Sequence, residues 1–420
     1  MLRIILCILL TFQQLFSVDF VFFPIRTRTI MAVIGLFLFV KDWRTFKVPQ
    51  RYIKLIIQFF LAVFYLLIIT VFSSLINNNF DPYFYKFPIV LIISFASSYC
   101  YIKCLAAISK KELTTELLIK YFVGATLLQC FLSLLVFLIP AFRNFIFTIV
   151  PMTEMNEEAV YFNIHPQEDV LFRMIPVGYD FWGIGTTLTI IIFLMAILAN
   201  QEKSRRDFIY ILLSLVFIVV IGASISRTTL VGALFFLLYL LFCKGERRNK
   251  KYLLRMIIVF IPIVVIAYTL FLESYPIFDI VFERAFSVFY SFKETGEMQS
   301  VESMVGKAVI PTEFRTWIIG DGLMADPLYP GTKFYKGVDI GYWRMIFGIG
   351  VLGLFVFSFI QYMFCKLAGF RKLEMLFLLL IYCAFMYKGI FYYDLLMSPF
   401  IMMILYNSRI KRKKSILANG

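Results

Sequence analysis

Two arginines are the residues in this chain most suited to chemistry. Arg227 lies in Ser224-Ile-Ser-Arg-Thr-Thr229 and Arg344 in Asp339-Ile-Gly-Tyr-Trp-Arg344, each at the edge of an apolar run. A charge at membrane depth costs several kcal/mol unless it is paired, hydrated or snorkelling, so each needs a partner. The planar fork of a guanidinium suits a bidentate grip on phosphate oxygens, and lipid diphosphates sit at this depth. The competing reading is that both side chains snorkel to lipid phosphates or pair with Asp339 or a nearby glutamate.

A long polar stretch ahead of Arg344 adds further candidates. Glu313-Phe-Arg-Thr-Trp-Ile-Ile-Gly-Asp-Gly322 leads to Lys333, Lys336 and Asp339, with Arg315, Trp317 and Tyr342 among the residues of interest. Aromatic faces stack on sugars, carboxylates accept from hydroxyls or act as base, and cations neutralise a departing diphosphate. The bland alternative is an ordered loop packed by its aromatics, its charges solvated. A second polar stretch is acidic and holds Glu154, Glu157, Glu158, Glu168 and Asp169, together with Arg173 and the only histidine, His165. His165 could titrate near neutrality as a base, although a lone histidine beside a proline is ordinarily a surface residue. No Asp-x-Asp pair, no metal-spaced cluster and no phosphate-binding glycine loop occurs, so neither a metal nor another cofactor is expected.

These residues are positioned by apolar runs. Of 420 residues 61% are hydrophobic and 16% charged, far from the quarter charged of soluble domains, so an all-α polytopic integral membrane protein is expected. About twelve spans fit, near 4–23, 28–40, 53–75, 87–105, 118–139, 178–199, 208–224, 228–243, 253–272, 341–365, 373–388 and 393–408. Connectors on one side then carry 27 Lys/Arg and 7 Asp/Glu, those on the other 14 and 19. The positive-inside rule makes the first side cytoplasmic, with both termini on it, and leaves two large outer loops at 140–177 and 273–340. Residues 1–420 read as a single membrane domain, without repeats or linkers. No Asp, Glu, Lys or Arg falls at mid-span in this assignment. The net charge of +15 sits in short connectors, which suits membrane lipids rather than nucleic acid. The seven cysteines lie in or beside apolar runs and imply no external disulfides. Gly348, Gly350 and Gly353 are expected to let helices approach closely.

Ser226-Arg227-Thr228 at an outward turn, a large loop with Ile319-Gly-Asp-Gly322, and Asp339-Ile-Gly-Tyr-x-Arg344 followed by Phe347-Gly-x-Gly-x-x-Gly353 together resemble the O-antigen polymerases, the bacterial oligosaccharide repeat-unit polymerases. The likeness in layout covers the chain, and the likeness in motif covers 224–229 and 313–353. It implies a metal-independent glycosyltransferase of the bacterial inner membrane, building O-antigen or capsular polysaccharide from undecaprenyl-diphosphate-linked oligosaccharides at the periplasmic face. Arg227 and Arg344 would hold the departing diphosphate, with Arg315 as a third cation. Asp339, Glu313 and His165, in that order, are candidate bases. Arg173, Lys333, Lys336, Tyr342 and Trp317 would bind substrate, and a chain-length regulator is a conceivable partner.

Two rivals follow from the same pattern. O-antigen ligases resemble polymerases in layout but carry a histidine late in the large loop, where this chain has Asp339. A lipid-linked oligosaccharide flippase also has about twelve spans, but its repeated halves, short outer loops and charges within spans are not what this sequence suggests.

Overall fold

A computed structural model of the chain describes residues 1–151, 174–178, 181–202, 204–243, 309–328 and 334–418. Among them every regular element is helical, apart from one isolated bridge between Ala325 and Phe334. In chain order the helices are α1 (Leu2–Phe16), α2 (Thr27–Asp42), α3 (Gln50–Asn77), α4 (Pro82–Tyr85), α5 (Phe87–Ser109), α6 (Thr115–Leu138) and α7 (Pro140–Ile149). They continue with α8 (Phe181–Gln201), α9 (Arg205–Ile225), α10 (Thr229–Phe242), α11 (Phe314–Ile318), α12 (Gly341–Leu367), α13 (Lys372–Met386) and α14 (Asp394–Ala418). Six of the described helices are long and apolar enough to cross a membrane: α3, the continuous Pro82–Ser109, α6, Trp182–Gln201, α9 and α12. The expected span 253–272 lies outside the described residues.

Local chemistry explains the boundaries. Thr114 and Ser204 cap α6 and α9 by accepting from the backbone N–H of Leu117 and Asp207. Asp81 does the same for Tyr83 at α4, where Pro82 occupies the first turn, a position that needs no amide donor. Two expectations need correction here. Hydropathy predicts a first span over 4–23, but α1 ends at Phe16, with Ser17 left-handed at φ 45°. Beyond it the carboxylate of Asp19 accepts from Thr27 N at 2.9 Å and fixes the start of α2. The stretch 140–177 reads in sequence as loop from its start. Pro140 instead ends α6 and opens α7, because proline stops one helix and is tolerated at the head of the next.

The chain divides into two compact units, each formed from two separate stretches. The first comprises Met1–Thr27 and Thr114–Met298, the second Arg28–Leu113 and Gln299–Gly420. In the first unit α8 is the central helix and is buried almost throughout, which suits its all-round apolar sequence. Gly232 lets α10 lie on α8, since a Cβ there would fall 2.8 Å from Thr189 Cα.

In the second unit α12 runs antiparallel to α3. Tyr52 near the start of α3 donates to Leu367 O at the end of α12 at 2.7 Å, and Ser73 near the end of α3 donates to Gly348 O at 3.1 Å. α14 runs parallel to α5, joined by Ser94 donating to Asp394 at 2.5 Å and by Ser98 and Ser398 at 2.6 Å. The unit therefore has two polar ends. One holds Asp42, Lys103 and Arg409, and the other holds Asn77, Asp81 and Arg344.

Two further corrections come from this unit. The sequence between α13 and α14, around Lys388 to Asp394, reads as a short turn shared by the last two expected spans. It is an extended segment with Ile390, Phe391 and Tyr393 buried, and Gln361 accepts from Tyr393 N at 2.8 Å. Asp394 is consequently carried inside, 7% exposed, beside Ser94 near the middle of the Pro82–Ser109 span. The expectation of no ionisable residue at mid-span therefore fails at Asp394.

The glycine series also acts differently from the expected helix-on-helix packing. Gly350 adopts φ 68° and breaks α12, and a Cβ there would lie 2.1 Å from Ile318 O. What approaches is the loop after α11. Carbonyls left over by the break are taken up by the protein: Phe347 O accepts from Asp321 N at 2.5 Å and Gly348 O from Ser73 Oγ at 3.1 Å. Satisfying freed carbonyls in this way lets an apolar helix be interrupted.

Candidate functional site

The polar end of the second unit is built on the broken helix. Ile340 accepts from Arg344 N at 3.0 Å, so Arg344 falls one turn into α12. Its guanidinium lies over the ring of Phe334, 3.6 Å from the centroid. Its Nε is buried without a hydrogen-bond partner, and no carboxylate comes within ion-pair distance among the described residues. Asp339, Asp81, Tyr83 and Tyr392 lie within electrostatic range instead. Tyr392 donates a short hydrogen bond to Tyr83. An aromatic face can hold a cation in place while leaving its N–H groups unspent.

The loop in front of α12 is fastened by the end of α3 and the turn that follows it. Asn77 donates to Gly320 O and accepts from Arg315 Nη2, at 2.8 and 2.6 Å. Asn79 donates to Asp321 O at 2.9 Å. Asp81 accepts from the N–H groups of Met324 and Ala325 at 2.8 and 3.0 Å. Asp321 accepts from Thr316 at 2.5 Å and from Lys336 at 3.4 Å. Lys336 also stands over the ring of Phe347, 4.6 Å from its centroid. Burial and the neighbouring charge of Asp321 push the Tyr335 phenol above its ordinary range, so it remains a donor at neutral pH.

This geometry sorts the residues expected from sequence. Arg344, Arg315 and Lys336 form a group of cations at one end of the unit, and Arg315 and Lys336 are exposed. Glu313 and Asp339 are exposed carboxylates with no ion pair among the described residues, so their oxygens are available to a substrate hydroxyl. Trp317 meets Trp343 edge-on at 5.6 Å and donates to Pro311 O, which fixes the loop. Tyr342 donates to Cys383 O at 2.9 Å, toward α13, and is partly exposed. His165, Arg173 and Lys333 lie outside the described residues.

Arg227 belongs to the first unit. It occupies the turn between α9 and α10, where Thr189 donates to Thr228 O at 2.8 Å. The turn lies against Gly185, where a Cβ would fall 2.4 Å from Ser226 Oγ. Burial lowers the proton affinity of the Arg227 guanidinium, so an anion beside it stabilises the charge. Met174 N donates to Ser224 O at 3.3 Å and brings the end of the acidic stretch to the same turn.

Sequence reasoning passed over Asn77, Asn79, Asp81 and Tyr392. The only signal was the polar Ile76-Asn-Asn-Asn79 and Asp81-Pro82 punctuation after an apolar helix, which reads as an ordinary turn. The chain matches no family model, no curated protein and no solved structure.

Proposed function

We propose that this protein is a membrane-embedded glycosyltransferase that polymerises lipid-diphosphate-linked oligosaccharide repeat units at the face carrying Arg344. The observation that supports this reading is the Arg344 guanidinium, held on Phe334 with its Nε unpartnered and, among the described residues, without a carboxylate at ion-pair distance. A half-buried cation left in that condition is poised for an incoming anion, and a diphosphate supplies two phosphate groups at this depth. In the reaction, Asp339 takes the proton of an acceptor sugar hydroxyl, whose oxygen attacks the anomeric carbon of the donor chain. The bond from that carbon to the diphosphate breaks, and the diphosphate leaves with its charge taken up by Arg344 and Arg315. Glu313 is the second choice of base, and Arg227, in the first unit, is a separate candidate for binding a lipid diphosphate.

The test is a gel of surface polysaccharide from a strain lacking the gene, complemented with wild type, Arg344→Ala or Arg227→Ala. Collapse of the ladder to one repeat on its acceptor, restored by wild type and not by the inserted variants, is the expected result. Wild-type chain lengths in both variants would remove the diphosphate-grip mechanism.

A flippase is favoured by one specific observation, the buried Asp394 beside Ser94, because intramembrane carboxylates mark transport pathways. The break in α12 does not add to it, since the Phe347 and Gly348 carbonyls are already engaged by Asp321 and Ser73. Loss of every repeat, with the lipid-linked unit retained on the cytoplasmic side, would select the flippase.

A further inference from the structure

At the end of the second unit opposite Arg344, helices α2, α3, α5, α12 and α14 enclose an apolar groove of about 800 Å³. Its walls include Phe39, Phe60, Val63, Ile92, Phe95 and Met402, and Lys47 is the one charged side chain among the described residues lining it. Gly35 brings α2 and α5 together beside it, because a Cβ there would sit 1.8 Å from Ala96 O. An adjoining recess shares Phe39 and Trp43 and adds Lys41 and Arg44.

Depth identifies the occupant. Along α3 the groove is lined from Ile53 to Val63, about 15 Å at 1.5 Å per residue, and Val63 is at the middle of the Gln50–Asn77 span. Along α5 it is lined from Ala96 to Pro88, about 12 Å, which passes the middle of the Pro82–Ser109 span, so its length is about half of a bilayer core of about 30 Å. Its lining offers water almost no polar partners, whereas a hydrocarbon chain fills it without loss. At the mouth the chemistry changes: Trp43 is 65% exposed, as an interfacial anchor is, and Lys41 and Lys47 are exposed cations.

We propose that this groove binds one anionic phospholipid from the leaflet on the Lys47 side, with an acyl chain between Phe60 and Ile92 and the headgroup phosphate on Lys47 and Lys41. A polyprenyl chain is too long for a groove of about 15 Å. The site is separate from the Arg344 end and does not depend on the reaction performed there.

The full chain, purified in detergent, would be titrated with phosphatidylglycerol, phosphatidylethanolamine, a polyprenyl phosphate and glycerol phosphate, and bound species counted by native mass spectrometry. One phosphatidylglycerol should be retained in preference to phosphatidylethanolamine. Lys47→Gln should reduce that preference about five-fold, the worth of one basic residue near an anionic surface. Ile92→Phe, at a position 56% exposed, should weaken both lipids by narrowing the groove without altering the preference. Thermal melting identifies any variant that fails to fold, and the wild-type lipid preference remains decisive in that case. Equal retention of the two phospholipids, or an unchanged preference in folded Lys47→Gln, overturns the proposal. Displacement of lipid by glycerol phosphate would reduce the site to a surface ion site, and stronger binding of polyprenyl phosphate would replace the occupant; either result also overturns it.

Discussion

The two polar ends of the second unit treat buried charge in opposite ways. At one end Asp42, 3% exposed, accepts from Tyr99 at 2.8 Å, Lys103 at 2.7 Å and Arg409 at 2.5 Å. Burial works against its charge, but the hydrogen bonds from Lys103 and Tyr99 and the charge of Arg409 prevail and hold its carboxyl below the usual range. At the other end Arg344 has a ring face and, among the described residues, no carboxylate within ion-pair distance. The Nε of Arg409 is left without a hydrogen-bond partner as that of Arg344 is, so the difference between the ends is the carboxylate that answers the charge of Arg409. A cation without such a partner lowers stability and retains capacity for an anion, as expected where function is carried. The comparison therefore fits a structural role for the Asp42 end and the proposed chemistry at the Arg344 end.

The sharpest way to break this assignment is to remove one member of each. Asp42→Ala strands Lys103 and Arg409, whose side chains are 26% and 17% exposed, and should cost about 3–5 kcal/mol, because a broken buried pair leaves uncompensated charge. Arg344→Gln should leave the thermal midpoint unchanged or slightly raised while abolishing chain extension. Denaturation in detergent and the polysaccharide ladder together check both arms. A strongly destabilised Arg344→Gln would show that Arg344 is structural too.

Gly350→Ala comes next in size. Its φ of 68° and the Ile318 carbonyl, 2.1 Å from where the alanine methyl would sit, should together cost about 2–3 kcal/mol. The damage should be local to the loop on which Arg315 and Asp321 sit, and limited proteolysis between α11 and α12 would detect it. Cleavage no faster than in wild type would separate the loop from the break in α12.

Much of the fold was legible because the apolar length that a membrane demands acts on long stretches of sequence. Helices occur at the expected apolar runs within the described residues, and Arg344, Arg315, Lys336 and Asp339 could be singled out as charges at the rim of an apolar element. What escaped reading depends on pairing across hundreds of residues. Asn77 and Asp81 look like turn residues until the loop from Glu313 onward is laid on them. Asp394 looks like a helix start at the surface until the extended segment ahead of it turns inward. Gly350 was legible as small but not as left-handed, since spacing alone does not distinguish a glycine that admits a helix from one that breaks its own.

Acid offers a milder test of the same contrast. A carboxyl with a folded-state pKa below its unfolded value contributes stability that is present above the unfolded value, near 3.8 for Asp42, and is lost as pH falls through the folded value. The second unit should therefore hold its Asp42 contribution at neutral and mildly acidic pH and lose it below about pH 4. The loss should be smaller than in Asp42→Ala, because the protonated carboxyl keeps its shape and can still hydrogen-bond. Thermal midpoints across pH, in wild type and Asp42→Asn, isolate this contribution. Parallel curves would mean that another group governs the acid limb.

Lys336 refines the comparison because it has properties of both ends. It pairs with Asp321 at 3.4 Å, yet its side chain is 43% exposed, and an exposed pair contributes about 0–1 kcal/mol at most. It also holds φ 54°, a conformation that glycine adopts without strain, so Lys336→Gly relieves the backbone while deleting the cation. The two effects oppose each other, and net stability should change by less than about 1 kcal/mol. Chain length reads the cation alone: a shortened ladder at unchanged stability places Lys336 with Arg344 among charges reserved for the diphosphate. A normal ladder in Lys336→Gly assigns it to the fold with Asp42, and confines the working charge at this end to the two arginines.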